Sequence, residues 1–264
     1  MLIIGERINS SRKSIFEAIK NKDTAFIQKE AVNQVTAGAH MLDVNCGTNF
    51  HDEISDMQWL VTKVQEAVNV PLVIDSPNPK ALEAGLKLHK GKPMINSTSG
   101  EKYRMDEIMP LVKEFKASVV ALAMDEAGMP HTAKERFDVA KKIVDYAGKY
   151  GVPPADLYFD CLVRPIATEP GQTKEYLDAV KMVKTIPDVK TTCGLSNISY
   201  GLPNRSLINS LFISVAIDAG LDSALIDPTD KNMIAAIMAS EALFTKDDYC
   251  MNYITWFKEQ QNSK

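Results

Sequence analysis

Residues 71–98 read PLVIDSPNPKALEAGLKLHKGKPMINST. Two short apolar runs, LVI and MI, each end in a polar residue, Asp75 and Asn96, and the segment between them has helical spacing. A strand, a crossover helix and a second strand make a parallel βαβ unit. In such a unit both polar residues leave the sheet at its carboxyl edge, where ligands bind in α/β folds. Asp and Asn also cap helices and turns. One such residue therefore identifies nothing, and its recurrence along the chain becomes the informative quantity.

The pattern does recur. Towards the N-terminus, 2–8 reads as a strand followed by Asn9, and Asp23 caps a helix over 24–37 that stops at Gly38. A strand over 41–44 ends in Asn45, and a helix over 55–68 places Met57, Leu60, Val61, Val64 and Val68 on one face. Towards the C-terminus, a helix over 106–114 contains Pro110, which is expected to kink or shorten it. Then come a strand over 118–124, an amphipathic helix over 133–149, a short strand over 157–159 ending in Asp160, and a helix over 173–185. A strand over 191–195 ends in Ser196 and Asn197, a helix over 207–219 stops at Gly220, and a strand over 223–226 ends in Asp227. Helices over 232–243 and 249–261 finish the chain. Eight strands alternating with helices predict an α/β fold, a closed (β/α)8 TIM barrel in one domain over 1–264. An open doubly wound sheet would carry a glycine-rich phosphate turn after its first strand, but GERINSS has neither GxGxxG nor a P-loop.

The bulk composition fits that architecture. The chain has 264 residues, 45% hydrophobic and 24% charged, with a formal net charge of -4. A single barrel of about 250 residues accommodates this length. Without a dense Lys/Arg run, nucleic acid and anionic membranes are not expected partners, and no apolar run is long enough to span a bilayer. Cys46, Cys161, Cys193 and Cys250 are scattered, with no CxxC, so a reduced, cytoplasmic protein is expected. His40, His51, His89 and His131 show no metal-ligand spacing and read as surface or loop residues, so no metal site is expected.

Asn9, Asn45, Asp75, Asn96, Asp160, Asn197 and Asp227 converge on one mouth if the barrel closes. Some will cap loops, but buried polar groups need partners, and so many together predict a polar ligand. The set is carboxylates and amides, without Lys or His. A carboxylate accepts two N–H bonds side by side, and an amide both donates and accepts. That suits a heterocycle with an amino-pyrimidinone edge and poorly suits a phosphate, which wants Arg, Lys or backbone N–H groups.

GERIN, DVNCG, VIDS, MINST, the Asp160 strand and GLSNISYGLPNR together resemble the pterin-binding methyltransferase family, and within it the methyltetrahydrofolate:corrinoid protein methyltransferases. The resemblance spans nearly the whole chain. It implies a homodimeric barrel that binds tetrahydrofolate or 5-methyltetrahydrofolate as substrate, while a separate corrinoid (cobalamin) protein carries the cobalt. It implies methyl transfer between N5 and that cobalt, in the one-carbon metabolism of an anaerobe that demethylates methylamines, glycine betaine or methoxyaromatics. Asp75, Asn96 and Asp160 match the family's pterin-holding residues, Asn197 the Asn near N5, and Arg205 a folate contact. On this reading Asn197 and Asp75 are the catalytic candidates. The acetogen enzyme has Gln where this chain has Tyr200, which hints at another corrinoid partner. No His has an Asp two places before it, so the DxHxxG corrinoid motif is absent and the cobalt must arrive on another protein.

Three rivals are weighed against this. Dihydropteroate synthases carry a DPGxGFxK stretch where this chain has DCLVRP, without that Lys. Zinc methyltransferases need clustered Cys and His ligands. A non-catalytic pterin-binding module would not need the full ring of strand-end residues.

Methyl transfer from N5 requires the departing amine to gain a proton or a strong hydrogen bond. Asn197 cannot give up a proton at neutral pH, but its amide can turn to bond N5 in either protonation state. Asp160 and Asn96 act mainly in binding on this reading. Replacing Asn197 with Ala is therefore expected to lower the methyl-transfer rate far more than folate affinity. Equal losses in single-turnover rate and folate Kd refute that role.

Overall fold

The alternation of short β-branched runs with amphipathic segments becomes a closed ring of strands inside a ring of helices. A computed structural model describes residues 1–47 and 52–262. The elements are β1 (Leu2–Asn9), α1 (Lys13–Lys20), α2 (Thr24–Thr36), β2 (Met41–Asn45), α3 (Glu53–Ala67), β3 (Leu72–Asp75), α4 (Pro79–Leu88), β4 (Met94–Ser99), α5 (Lys102–Phe115) and β5 (Ser118–Leu122). They continue with α6 (Ala133–Tyr150), β6 (Leu157–Asp160), α7 (Gln172–Val183), β7 (Lys190–Thr192), α8 (Arg205–Ala219), β8 (Ser223–Ile226), α9 (Lys231–Leu243) and α10 (Met251–Asn262).

All seven strand ladders are parallel, and β1 pairs with both β2 and β8. The expected eight-stranded barrel is thus what the chain forms. Ile4, Met41, Val73, Met94 and Val120 pack together as a small plug inside it. A much larger apolar layer, including Leu42, Leu60, Ile74, Ile95 and Phe159, lies between strands and helices. Side chains alternate along each strand, so Asp75 and Asn96, two residues beyond Val73 and Met94, also face inward.

The ring closes at β7 and β8 by few bonds. Leu225 donates its N–H to the Cys193 carbonyl at 2.8 Å, and Ser223 Oγ donates to the Thr191 carbonyl at 3.1 Å. Asp222 reinforces the joint, accepting from Thr191 N and from Lys184 Nζ, both at 2.8 Å. At the opposite, amino-terminal end, two of the histidines finish strands. His40 Nδ1 accepts from Ile3 N at 3.0 Å, and His89 Nε2 accepts from Leu72 N at 2.9 Å. Burial lowers the pKa of both, consistent with rings that accept rather than carry charge. They are therefore structural groups at the barrel floor, and His51 lies outside the described residues.

Three expectations change. Pro110 neither stops nor shortens α5, which runs through it for 14 residues. The proline is exposed, while Met105, Ile108, Met109 and Val112 anchor the other face. Helix α1 was not anticipated: it is 8 residues long, and its N-cap Arg12 makes no side-chain cap bond. Strand β7 ends at Thr192, and Leu195–Ser199 forms a 3-10 turn that carries Ser196 and Asn197 beyond the sheet. Asp23 does cap α2, accepting from Phe26 N at 3.0 Å.

Replacing Asp222 with Ala strands the Thr191 N–H and Lys184 at the closing joint. A loss of about 2 kcal/mol is expected, a fall of roughly 5 °C in the thermal midpoint for a chain of this size, measurable by circular dichroism.

Candidate functional site at the barrel mouth

The parallel register sets Asn9 beside Asn45, Asn45 beside Asp75, and Asp75 beside Asn96, one row of side chains at one height. Asn45 links the row: its Nδ2 donates to Asp75 Oδ2 at 2.9 Å, and its Oδ1 accepts from Ser10 Oγ at 3.0 Å and Gly47 N at 3.1 Å. Burial pushes the Asp75 carboxyl up to about 6, against the opposing hydrogen bond from Asn45. Glu53, whose charge adds to that rise, is held by Ser76 Oγ and by Asn78 Nδ2 at 3.2 Å.

Beneath the row sits a residue that the sequence reading passed over. Asp43 faces the barrel interior from β2 and is 1% exposed. It accepts from Asn96 Nδ2 at 3.2 Å, which leaves the Asn96 carbonyl oxygen for a ligand. Burial first, and the neighbouring Asp75 charge second, push Asp43 well above the usual carboxylate range. The signal was present in MLDVN, where Asp43 shares the parity of Met41 and Asn45. Glu6 was also missed: its Oε1 accepts from Ser196 Oγ at 3.0 Å, and burial raises its pKa.

Across the mouth, Asp160 Oδ1 accepts from Leu162 N at 2.7 Å. Burial lifts this carboxyl to about 6, while the Leu162 and Gly194 amides hold it down. Gly194 connects it to Asn197, because a Cβ on Gly194 would lie 3.2 Å from Asn197 Nδ2. The Asn197 amide therefore stands over the backbone that bonds Asp160. It is exposed and has no hydrogen bond of its own among the described residues. Arg205 fixes the turn beneath it, donating from Nε to Ser199 Oγ at 3.0 Å and from one terminal nitrogen to the Ser196 carbonyl at 2.6 Å.

Two members of the predicted ring serve structure instead. Asn9 Oδ1 caps a turn by accepting from Ser11 N at 2.9 Å. Asp227 is paired with Arg7 at 2.6 Å and bonded to Thr229. The rest surround an open mouth, with a cleft of about 510 Å³ beside Asp75 and Asn96 walled by Leu122, Met124 and Arg104. Arg104 donates to the Ser76, Pro77 and Ser97 carbonyls and so ties two loops together. Among the described residues no Lys or Arg forms an ion pair with Asp43, Asp75 or Asp160. Such carboxylates are acceptors waiting for N–H donors.

The sequence model of the pterin binding enzymes matches residues 5–227. This chain belongs to the pterin-binding enzyme family. Within the reach of that match lie most of β1, all of β2 through β8 and the mouth residues from Glu6 to Asp227. The methylcorrinoid:tetrahydrofolate methyltransferase of Eubacterium limosum is 38% identical over 262 residues, which cover 98% of this chain and 97% of that enzyme. The methionine synthase of Mycobacterium tuberculosis is 35% identical over 242 residues, 86% of this chain but only 20% of that longer protein. Among solved structures, dihydropteroate synthase from Xanthomonas albilineans in complex with 7,8-dihydropteroate superposes with a TM-score of 0.75 over 92% of this chain and 93% of that one. At 16% sequence identity, that likeness speaks for the barrel alone.

Replacing Asp160 with Asn tests the burial cost. Burial raises the folded carboxyl to about 6 from its ordinary 3.8, so the folded wild type binds the extra proton between those values. Its stability therefore falls as pH rises through 6 and stays lower above. The Asn variant is expected to gain about 1–3 kcal/mol over wild type at pH 8. The gain disappears near pH 4, which paired thermal melts will show.

Proposed function

We propose that this pterin-binding barrel moves a methyl group between the cobalt of a separate methyl-corrinoid protein and N5 of tetrahydrofolate. The end-to-end similarity to the Eubacterium limosum methylcorrinoid:tetrahydrofolate methyltransferase supports the reaction. The single structural observation that carries it is the placement of Asp75, Asn96 and Asp160 around one mouth, with the unbonded Asn197 amide beside Asp160.

In this reading the amino-pyrimidinone edge of the pterin lies against Asp160 and Asn96. At neutral pH most Asp160 carboxyls are ionised and accept adjacent N–H groups, while Asn96, oriented by Asp43, presents its carbonyl oxygen. Asp75, tied to Asn45, completes the frame and is the second carboxylate of the site. Toward methyltetrahydrofolate, the N5 lone pair forms the bond to the methyl carbon. The cobalt–carbon bond breaks with its electron pair left on cobalt as Co(I), and N5 then releases a proton. In reverse, N5 must be protonated before it departs. Asn197 stabilises the N5–H⁺ state through its carbonyl oxygen in either direction. Arg205 acts by holding the Asn197 turn, and its exposed guanidinium is also in reach of solvent for the folate tail.

The same reading makes the protein a homodimer. Leu207, Leu211 and Val215 are spaced four apart along α8 and all are exposed, a stripe that a second copy would cover. It also places the protein in the cytoplasm, consistent with the buried, unpaired Cys46, Cys161 and Cys193. No helix among the described residues is long and apolar enough to cross a membrane.

The purified protein, incubated anaerobically with methylcobalamin and tetrahydrofolate, is expected to form 5-methyltetrahydrofolate with stoichiometric cob(I)alamin. Supplied with p-aminobenzoate and a pterin diphosphate, it is expected to form no pteroate. The opposite pattern favours a synthase, and folate binding without either product favours a binding module.

A further inference from the structure

The mouth carries large exposed side chains on its rim. Tyr200 is 66% exposed, Tyr103 is 61% exposed and Met129 is 45% exposed. Tyr200 and Met129 stand on the loops after β7 and β5, and Tyr103 is in the first turn of α5, all at the carboxyl edge of the sheet. Tyr200 is the closest of them in sequence to the proposed reaction centre, three residues beyond Asn197 and at the end of the same 3-10 turn.

That turn is braced on three sides. Tyr200 N donates to the Asn197 carbonyl at 3.1 Å, Ile166 N donates to the Ile198 carbonyl at 3.2 Å, and Arg205 grips Ser196 and Ser199. Its neighbours Ile198 and Ser199 are buried. An aromatic ring held in water on a braced turn loses little further freedom when a partner covers it. Tyrosines of this kind dominate binding energy at interfaces.

The chemistry says what covers it. On the proposed reading, cobalt must reach the methyl carbon in line with N5, beside Asn197. A corrin is a broad macrocycle with an apolar face and an amide-bearing rim, so it must lie across the mouth when its cobalt is in reach. Whatever delivers it passes over the side chain next to Asn197.

We infer that Tyr200 is a corrinoid-recognition residue, packing its ring against the incoming macrocycle and so setting which methyl-corrinoid the enzyme accepts. Tyr200 does not wall the cleft beside Asp75, and it serves the corrinoid substrate rather than the folate. This inference rests on the proposed methyl transfer.

The test uses free methylcobalamin as the corrinoid probe and saturating tetrahydrofolate. Tyr200→Ala is expected to raise the KM for methylcobalamin by about 10-fold or more, as loss of an interface aromatic does, with the tetrahydrofolate Kd from calorimetry unchanged. Tyr200→Phe, which keeps the ring, is expected to restore a low KM. An unchanged KM in Tyr200→Ala overturns the inference while leaving methyl transfer in place. A parallel loss of folate affinity also overturns it, by assigning the ring to the folate. If the wild type transfers no methyl group to tetrahydrofolate, both the reaction and this role fall together.

Discussion

The mouth of this barrel holds one buried and two half-buried carboxylates, none of them in an ion pair among the described residues. Asp43, Asp75 and Asp160 are held by side-chain amides and backbone N–H groups, through Asn96, Asn45 and Leu162. Burial without a salt bridge normally drives such groups to protonate, and all three are pushed upward. A ligand rich in N–H donors relieves that cost, and a phosphate would aggravate it. The free energy that the fold forgoes in keeping these groups becomes selectivity for a neutral, hydrogen-bonding ring.

The ladder makes this arrangement possible. Because β2 to β4 run in register, and an irregularity between Gly5 and Ile8 brings the end of β1 level with them, Asn9, Asn45, Asp75 and Asn96 share one level, and each orients the next or a nearby loop. A slip of one residue in any of these strands would turn its polar group out toward the helices. The apolar plug of Ile4, Met41, Val73, Met94 and Val120 opposes such a slip, since it would lose the same faces. Packing below the row and chemistry above it are therefore fixed by one register.

Much of this was legible in the chain. The strand ends Asp75, Asn96 and Asp160 fell where the apolar runs stopped, because buried parallel strands read as continuous apolar segments. What escaped had a physical reason. Asp43 sits inside a strand rather than at its end, so it gave no boundary signal. The TTCGL run looked like a longer β7, but Gly194 and the tertiary grip of Arg205 turn the backbone before Asn197. Pro110 leaves α5 unbroken because it lies on the exposed face, where water satisfies the carbonyl that its missing N–H leaves free. Asn9 and Asp227 matched the ring pattern yet are occupied by Ser11 and by Arg7, and only side-chain geometry separates such members from those left available.

The joint between β7 and β8 bears on how the site works. From β1 to β7 every strand has a full ladder, whereas β7 reaches β8 through an isolated bridge and a few side chains. The turn bearing Asn197 springs from this thinnest part of the wall, while Asp75 and Asn96 rise from strands with a ladder on each side. Breathing of the barrel would thus displace the amide over N5 while leaving the pyrimidine anchor still. Such a division lets a pterin stay seated as the atoms around its reactive nitrogen adjust from an amine to an ammonium centre.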